Sequence, residues 1–251
     1  MITDSLFYFA AVPAVILVGL SKGGFGGPLA MLGVPIMALV ISPVQAAAIF
    51  LPILVIMDMV GLYSYRGKAN WPVLRGILPY AMLGIGAGWY MADQVDEEII
   101  RLMVGVVALA FVADYIWRVV RKKPVAARGS LSGVIWGSIA GFTSFVAHAG
   151  GPPYQIHTLP MGMHRVTFVA TSVYFFSIVN AVKLIPYFAL GQFSTQNLTT
   201  TLVLLPIAPL ATLLGIYLVK RISQTFFYRL TYLGMFLLAL KLCADSLPAL
   251  L

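Results

Sequence analysis

Charge is what this sequence has least of. Aspartate, glutamate, lysine and arginine make up 10% of its 251 residues, while 61% are apolar. An ordinary soluble domain carries ~25% charged residues, and a soluble fold of this length could not cover its surface with so few. Acidic residues are scarcer still, 8 against 16 Lys and Arg. One cysteine, Cys243, excludes an intrachain disulfide and leaves the redox compartment open. No GxxxxGK[ST] pattern is present, so ATP hydrolysis by this chain is not expected. His148, His157 and His164 form no HExxH pattern and have no cysteine ligands nearby, so no metal site is expected. No cofactor is expected either, beyond proton coupling. The net charge of +8 would suggest nucleic acid only if the basic residues formed a surface of their own. They sit instead at the ends of apolar blocks, where orientation signals sit, so no nucleic-acid partner is expected.

What the sequence has is apolar length. Residues 5–20, 27–41, 44–63, 73–92, 99–117, 132–147, 166–187, 199–219 and 226–243 each read mostly apolar. A membrane-spanning helix needs ~20 such residues, and several blocks suffice. The first follows Asp4, with no basic stretch before it and no small-residue cleavage site, and reads as part of the mature fold rather than a signal peptide. The expectation is an all-α polytopic membrane protein in lipid. The charges between blocks orient it. Arg66, Lys68 and Arg75, the linker with Arg118, Arg121, Lys122, Lys123 and Arg128, and the turn Lys220-Arg221 are basic, whereas 93–98 is acidic and 188–198 uncharged. The positive-inside rule puts the basic segments in the cytoplasm and both termini outside, in the periplasm of a bacterial inner-membrane protein.

The two halves of the chain resemble each other. Gly26-Gly27-Pro28 corresponds to Gly150-Gly151-Pro152, Asp58 to Asn180 and Tyr65 to Tyr187; at a slightly longer spacing Pro79 corresponds to Pro206, Gly88 to Gly215 and Arg101 to Arg229. Equivalent loops carry opposite signals, basic 64–72 against uncharged 188–198 and acidic 93–98 against basic 220–225. That pattern predicts two inverted-topology repeats, 1–117 and 131–251, joined by a basic cytoplasmic linker at 118–130, with substrate bound between them at mid-depth.

Each half opens on a break in an apolar stretch: Ser21-Lys22-Gly23-Gly24-Phe25-Gly26-Gly27-Pro28, and His148-Ala149-Gly150-Gly151-Pro152-Pro153. Glycine lets the backbone leave helical geometry and proline favours a new helix start. A helix start exposes unpaired N–H groups and the positive dipole end, which suits an oxyanion. The same small residues also serve plain helix packing. Each break reads equally as a re-entrant hairpin or as two short spans, and either leaves an odd number of crossings per half. The candidate substrate residues are Ser21, Lys22, Gly23, Gly24, Phe25, Gly26, Gly27, His148, Gly150, Gly151, Tyr154 and Gln155. For Lys22 the plainer reading is a cytoplasmic turn lysine, and for His148 a packing histidine; His157 and His164 are weaker candidates. Asp58, Asn180 and Lys183 lie within apolar blocks, where ionisable groups are costly and face a cavity or a partner. Asp58 reads as a proton or cation coupling group, or as a group snorkelling near a helix end; Lys183 carries the same two readings. Thr171, Ser172 and Tyr174 could line the path or join helices.

Lys22-Gly23-Gly24-Phe25-Gly26-Gly27 followed by Pro35, and His148-Ala149-Gly150-Gly151-Pro152-Pro153 followed by Pro160, resemble the two glycine-rich motifs of the TauE/SafE family of sulfite exporter-like permeases. The resemblance covers nearly the whole chain. It implies a duplicated helical permease for sulfite, thiosulfate or organosulfonates, working in either direction. The second motif departs from the commonest all-glycine form at His148 and Pro153. Phe25, Phe142, Phe145, Tyr154, Phe175 and Phe176 would favour an organic sulfonate, or serve packing alone.

The expected function is a secondary transporter moving a sulfonate or sulfite by alternating access, coupled to protons or to the membrane potential, with a homodimer left open. An anion channel on the same scaffold is the first alternative. An intramembrane enzyme is the second; Ser144 and His148 could meet on a helix, but no third orienting group is evident.

Overall fold

The computed structural model describes residues 2–24, 30, 32–91, 102, 105–106, 108–110, 112–113, 115–117 and 129–250. Phe25, Gly26, Gly27, Pro28, the acidic turn 93–98, Arg101 and the linker basics Arg118, Arg121, Lys122, Lys123 and Arg128 lie outside the described residues. Among the described residues the regular structure is helical: α1 (Ser5–Gly24), α2 (Gly33–Met37), α3 (Pro43–Ser64), α4 (Trp71–Tyr90), α5 (Ser130–Ala147), α6 (Gly151–Thr158) with a 3-10 turn at Leu159–Met161, α7 (Arg165–Ala189), α8 (Thr195–Leu204), α9 (Ile207–Arg221) and α10 (Gln224–Leu250). Three helices are long and apolar enough to cross a membrane: Ser5–Gly24, Val44–Ser64 and Arg165–Ala189.

Two apolar blocks do not become single straight helices. Block 199–219 is α8 and α9, bent by 45° at Leu205–Pro206, where Pro206 has no N–H to carry the helical ladder across. In the described part of block 27–41 the one α-helix is α2, five residues long.

The chain divides into two compact units, Met1–Asn70 with Arg165–Ser223, and Trp71–His164 with Gln224–Leu251. Each draws on both halves of the sequence.

In the first unit, α2 folds back on α1 and α3 around an apolar core that includes Phe7, Val18, Val34, Met37, Phe50 and Met57. Ser42 caps α3, its hydroxyl accepting from the Gln45 N–H, and Ser194 caps α8 in the same way. The starts Pro43 of α3 and Arg165 of α7 stand at the same spacing as Asp58 and Asn180. Asp58 touches Asn180, Gly61 lies against Val173, and the Asn70 N–H donates to Thr171. Numbers rise on α3 as they fall on α7, so the two helices run antiparallel. α1 packs on α9 through small residues: a Cβ on Gly19 would strike Ala211, and one on Gly23 or Gly24 would strike the backbone of Thr212 or Gly215. Close backbone approach of this kind drives helix association in lipid.

In the second unit, α4 and α5 make the corresponding contact. Gly133 lies against Gly76, Gly141 against Ala81 and Gly88 against Phe145, so these two run parallel. α6 turns back from α5 at His148, and the His157 ring Nδ1 lies 2.9 Å from the Ser132 hydroxyl at the start of α5. The chain thus returns to the end from which it entered. An eight-residue helix rises ~12 Å, far short of a ~30 Å hydrocarbon core. At the second break α5 and α6 thus form a helical hairpin. Gln224 and Tyr228 of α10 both donate to the Met163 carbonyl, and Tyr232 stacks on Tyr115 with ring centres 3.6 Å apart.

Candidate functional site

Lys22 does not sit in an irregular break. It lies in the last turn of α1, 7% exposed, with Ser21, Gly23 and Gly24 helical beside it. The helix is kept regular to Gly24 because Gly23 and Gly24 are spent on contact with α9. Within the last helical turn their N–H groups face back along the ladder, and this end of the helix is the negative one. A cation in the last turn complements that end. The Tyr65 hydroxyl, fully buried, donates to the Gly23 carbonyl, one of the orphan acceptors of the helix end.

The Lys22 ammonium reaches the Asp58 carboxylate at 2.6 Å. Asp58 is 3% exposed, so it is paired inside the protein rather than snorkelling. Its second oxygen accepts from the Asn180 side-chain amide at 2.7 Å. Lys183 follows one turn later on α7, 1% exposed, within electrostatic reach of Lys22 and Asp58 and 5.7 Å above the Tyr187 ring. Lys22 and Asp58 come from the first half of the sequence, Asn180 and Lys183 from the second. Among the described residues, the buried side chains that carry a full formal charge are Lys22, Asp58 and Lys183. Two cations and one carboxylate leave a formal excess of one positive charge, and ionisable groups in an apolar setting are costly without a partner.

The other predicted residues sort themselves by their contacts. Thr171 donates to the Thr167 carbonyl and accepts from Asn70, so it joins chain segments. Ser172 is buried and Tyr174 half-buried on the same helix. His148, Gly150, Gly151, Tyr154 and Gln155 belong to the second unit. His148 ends α5 with φ +52°, a left-handed conformation that a histidine seldom takes. All eight residues of α6 are buried, Tyr154 and Gln155 among them. The N-terminus of α6 is a poorer amide cradle than the motif suggested. Pro152 and Pro153 have no N–H, and the Tyr154 N–H is bonded to the Gly150 carbonyl. The Phe145 ring packs against Gly88, which is the packing reading of that aromatic, whereas Phe142 meets Gly84 through its backbone. Phe175 is buried and meets Phe176 edge-on. Tyr65 was missed as a site neighbour. Nothing local marks it, since it acts through a contact far along the chain.

The sequence model of the family described as Sulfite exporter TauE/SafE matches residues 11–242. The chain belongs to the TauE/SafE family. Comparison with curated proteins and with solved structures returns no match. As a TauE/SafE protein the chain is a multi-pass membrane transporter of the sulfite exporter type, and a transport role rather than an enzymatic one follows. Lys22, Asp58, Asn180 and Lys183 all lie within the matched residues.

Proposed function

We propose that this chain is a secondary transporter for a small sulfur oxyanion, a sulfonate or sulfite, working by alternating access, with the Lys22–Asp58–Asn180–Lys183 cluster as its anion site. The observation that carries the reading is the excess of buried positive charge at that cluster, on helices from both sequence halves. An oxyanion accepts hydrogen bonds from ammonium and amide donors at once, which the donor set here suits. His148 and the buried polar side chains of α6 are proposed as a separate set of substrate contacts within the second unit.

Two inverted repeats are proposed as the frame. The antiparallel pairing of α3 with α7 supports it, because the repeat-equivalent residues Asp58 and Asn180 touch each other, as happens beside a two-fold axis. Small-residue packing of α1 on α9 and of α5 on α4 supports it as well, since each half lends its third helix to the first helix of the other. Both termini are proposed to lie in the periplasm, with transport driven by the membrane potential or by protons.

Counterflow in proteoliposomes tests the reading. Vesicles loaded with unlabelled methanesulfonate should take up labelled methanesulfonate transiently above equilibrium, with saturating rates. Flux that rises linearly with concentration and shows no exchange would mean an anion channel instead.

A further inference from the structure

The charge inventory of the first unit bears on which oxyanions the site accepts, an inference that rests on the anion-transport reading above. α1 contributes Lys22, α3 contributes Asp58 and, at its end, Tyr65, and α7 contributes Lys183 and Tyr187. α2 and α8 have no titratable side chain, and Tyr217, Lys220 and Arg221 of α9 are exposed. The formal charge that these elements bury among the described residues is therefore +1. The Tyr187 ring and the Asn180 amide hold their neighbours in place without changing that sum.

We propose that the site selects singly charged oxyanions, an alkyl sulfonate or hydrogensulfite, over doubly charged ones such as sulfite dianion or sulfate. A monoanion placed among Lys22, Asp58 and Lys183 brings the buried charge to zero. A dianion leaves one uncompensated negative charge beside the Asp58 carboxylate, where the low dielectric makes repulsion strong and water cannot screen it. The carboxylate is thus the discriminating group. It repels a second negative charge and, with Asn180 fixing one of its oxygens, cannot swing away cheaply. Hydrogensulfite would carry its own proton across, so its transport would move a proton equivalent with no separate carrier group.

Equilibrium binding to the purified full-length protein separates the outcomes. Methanesulfonate stays a monoanion at all working pH values, whereas sulfite passes from hydrogensulfite to the dianion near neutrality. Apparent sulfite affinity should fall as pH rises through that transition, tracking the hydrogensulfite fraction. Methanesulfonate affinity should fall less steeply than sulfite affinity over the same range, because only sulfite ceases to be a monoanion there, and sulfate should bind about tenfold or more weakly than methanesulfonate. Asp58→Asn raises the buried charge by one, so it should gain about tenfold or more in sulfate affinity relative to methanesulfonate. Sulfate binding as tightly as methanesulfonate to the wild type, or sulfite affinity rising with pH, would overturn the selectivity; both readings need only the wild type and stand even where the variant does not fold. An Asp58→Asn protein that folds and keeps the wild-type preference would overturn Asp58 as its source. Failure of the wild type to bind either methanesulfonate or sulfite at any pH would remove the transport reading itself.

Discussion

Lys22 and Asp58 are thirty-six positions apart in the chain and carry opposite charges, Lys22 in the break between two apolar blocks and Asp58 inside block 44–63. A buried pair of this kind is weak evidence of stability, because desolvation offsets much of the attraction, but breaking it by removing one partner strands the other. Lys22→Met alone is therefore expected to destabilise the protein by about 3–5 kcal/mol, whereas Lys22→Met/Asp58→Asn should recover most of that loss. Thermal unfolding in detergent measures both; equal melting temperatures for the single and double variants would show that the pair contributes no mutual dependence. All four residues of the cluster were legible as anomalies of sequence, since charge and amide in an apolar block demand a partner. Their grouping was not, apart from one signal. Asp58 and Asn180 occupy equivalent places in the repeat, and a two-fold relation can bring equivalents together. The contact of Gly23 and Gly24 with α9 was not legible, because glycine serves both broken backbone and close helix contact, and composition does not tell these apart.

At the scale of elements, the ends of helices were read from caps and prolines and their contacts were not. Proline and glycine marked the second break, and α6 does begin at Gly151 with prolines in its first turn. The shortness of α2 was hidden because the apolar run continues past the helix end, and hydropathy measures burial rather than regular backbone. The α1–α9 contact leaves no room at Gly23, where an added methyl would meet the Thr212 carbonyl. Gly23→Ala is expected to cost about 1–3 kcal/mol through overpacking and to lower transport by shifting Lys22. Gly86→Ala, which meets nothing within contact distance, is the matched control and should leave the melting temperature unchanged. A Gly23→Ala protein as stable as the control would mean that α1 and α9 can part freely.

For the whole molecule, the sequence carried the class and the family, because composition, block length and the paired glycine motifs are global signals. The sorting of helices into units that mix the two halves was not legible, since no local pattern records which distant helix a small-residue face will meet. Orientation is testable with single cysteines in a Cys243→Ser background. The turn after α3 carries Arg66 and Lys68, both exposed, and the start of α8 carries the exposed Thr195. In cells, a membrane-impermeant maleimide added outside, once across the outer membrane, should label Thr195→Cys and spare Lys68→Cys until the inner membrane is opened. The opposite pattern would invert the proposed topology.

The central claim is that the buried cations of the first unit hold the transported anion, and titration of methanesulfonate into purified wild-type and Lys183→Met protein tests it most directly. Lys183→Met removes a buried charge at nearly constant volume, so the melting temperature should be equal or higher, while affinity should fall about tenfold or more. Equal affinity in a variant of undiminished stability would contradict the account.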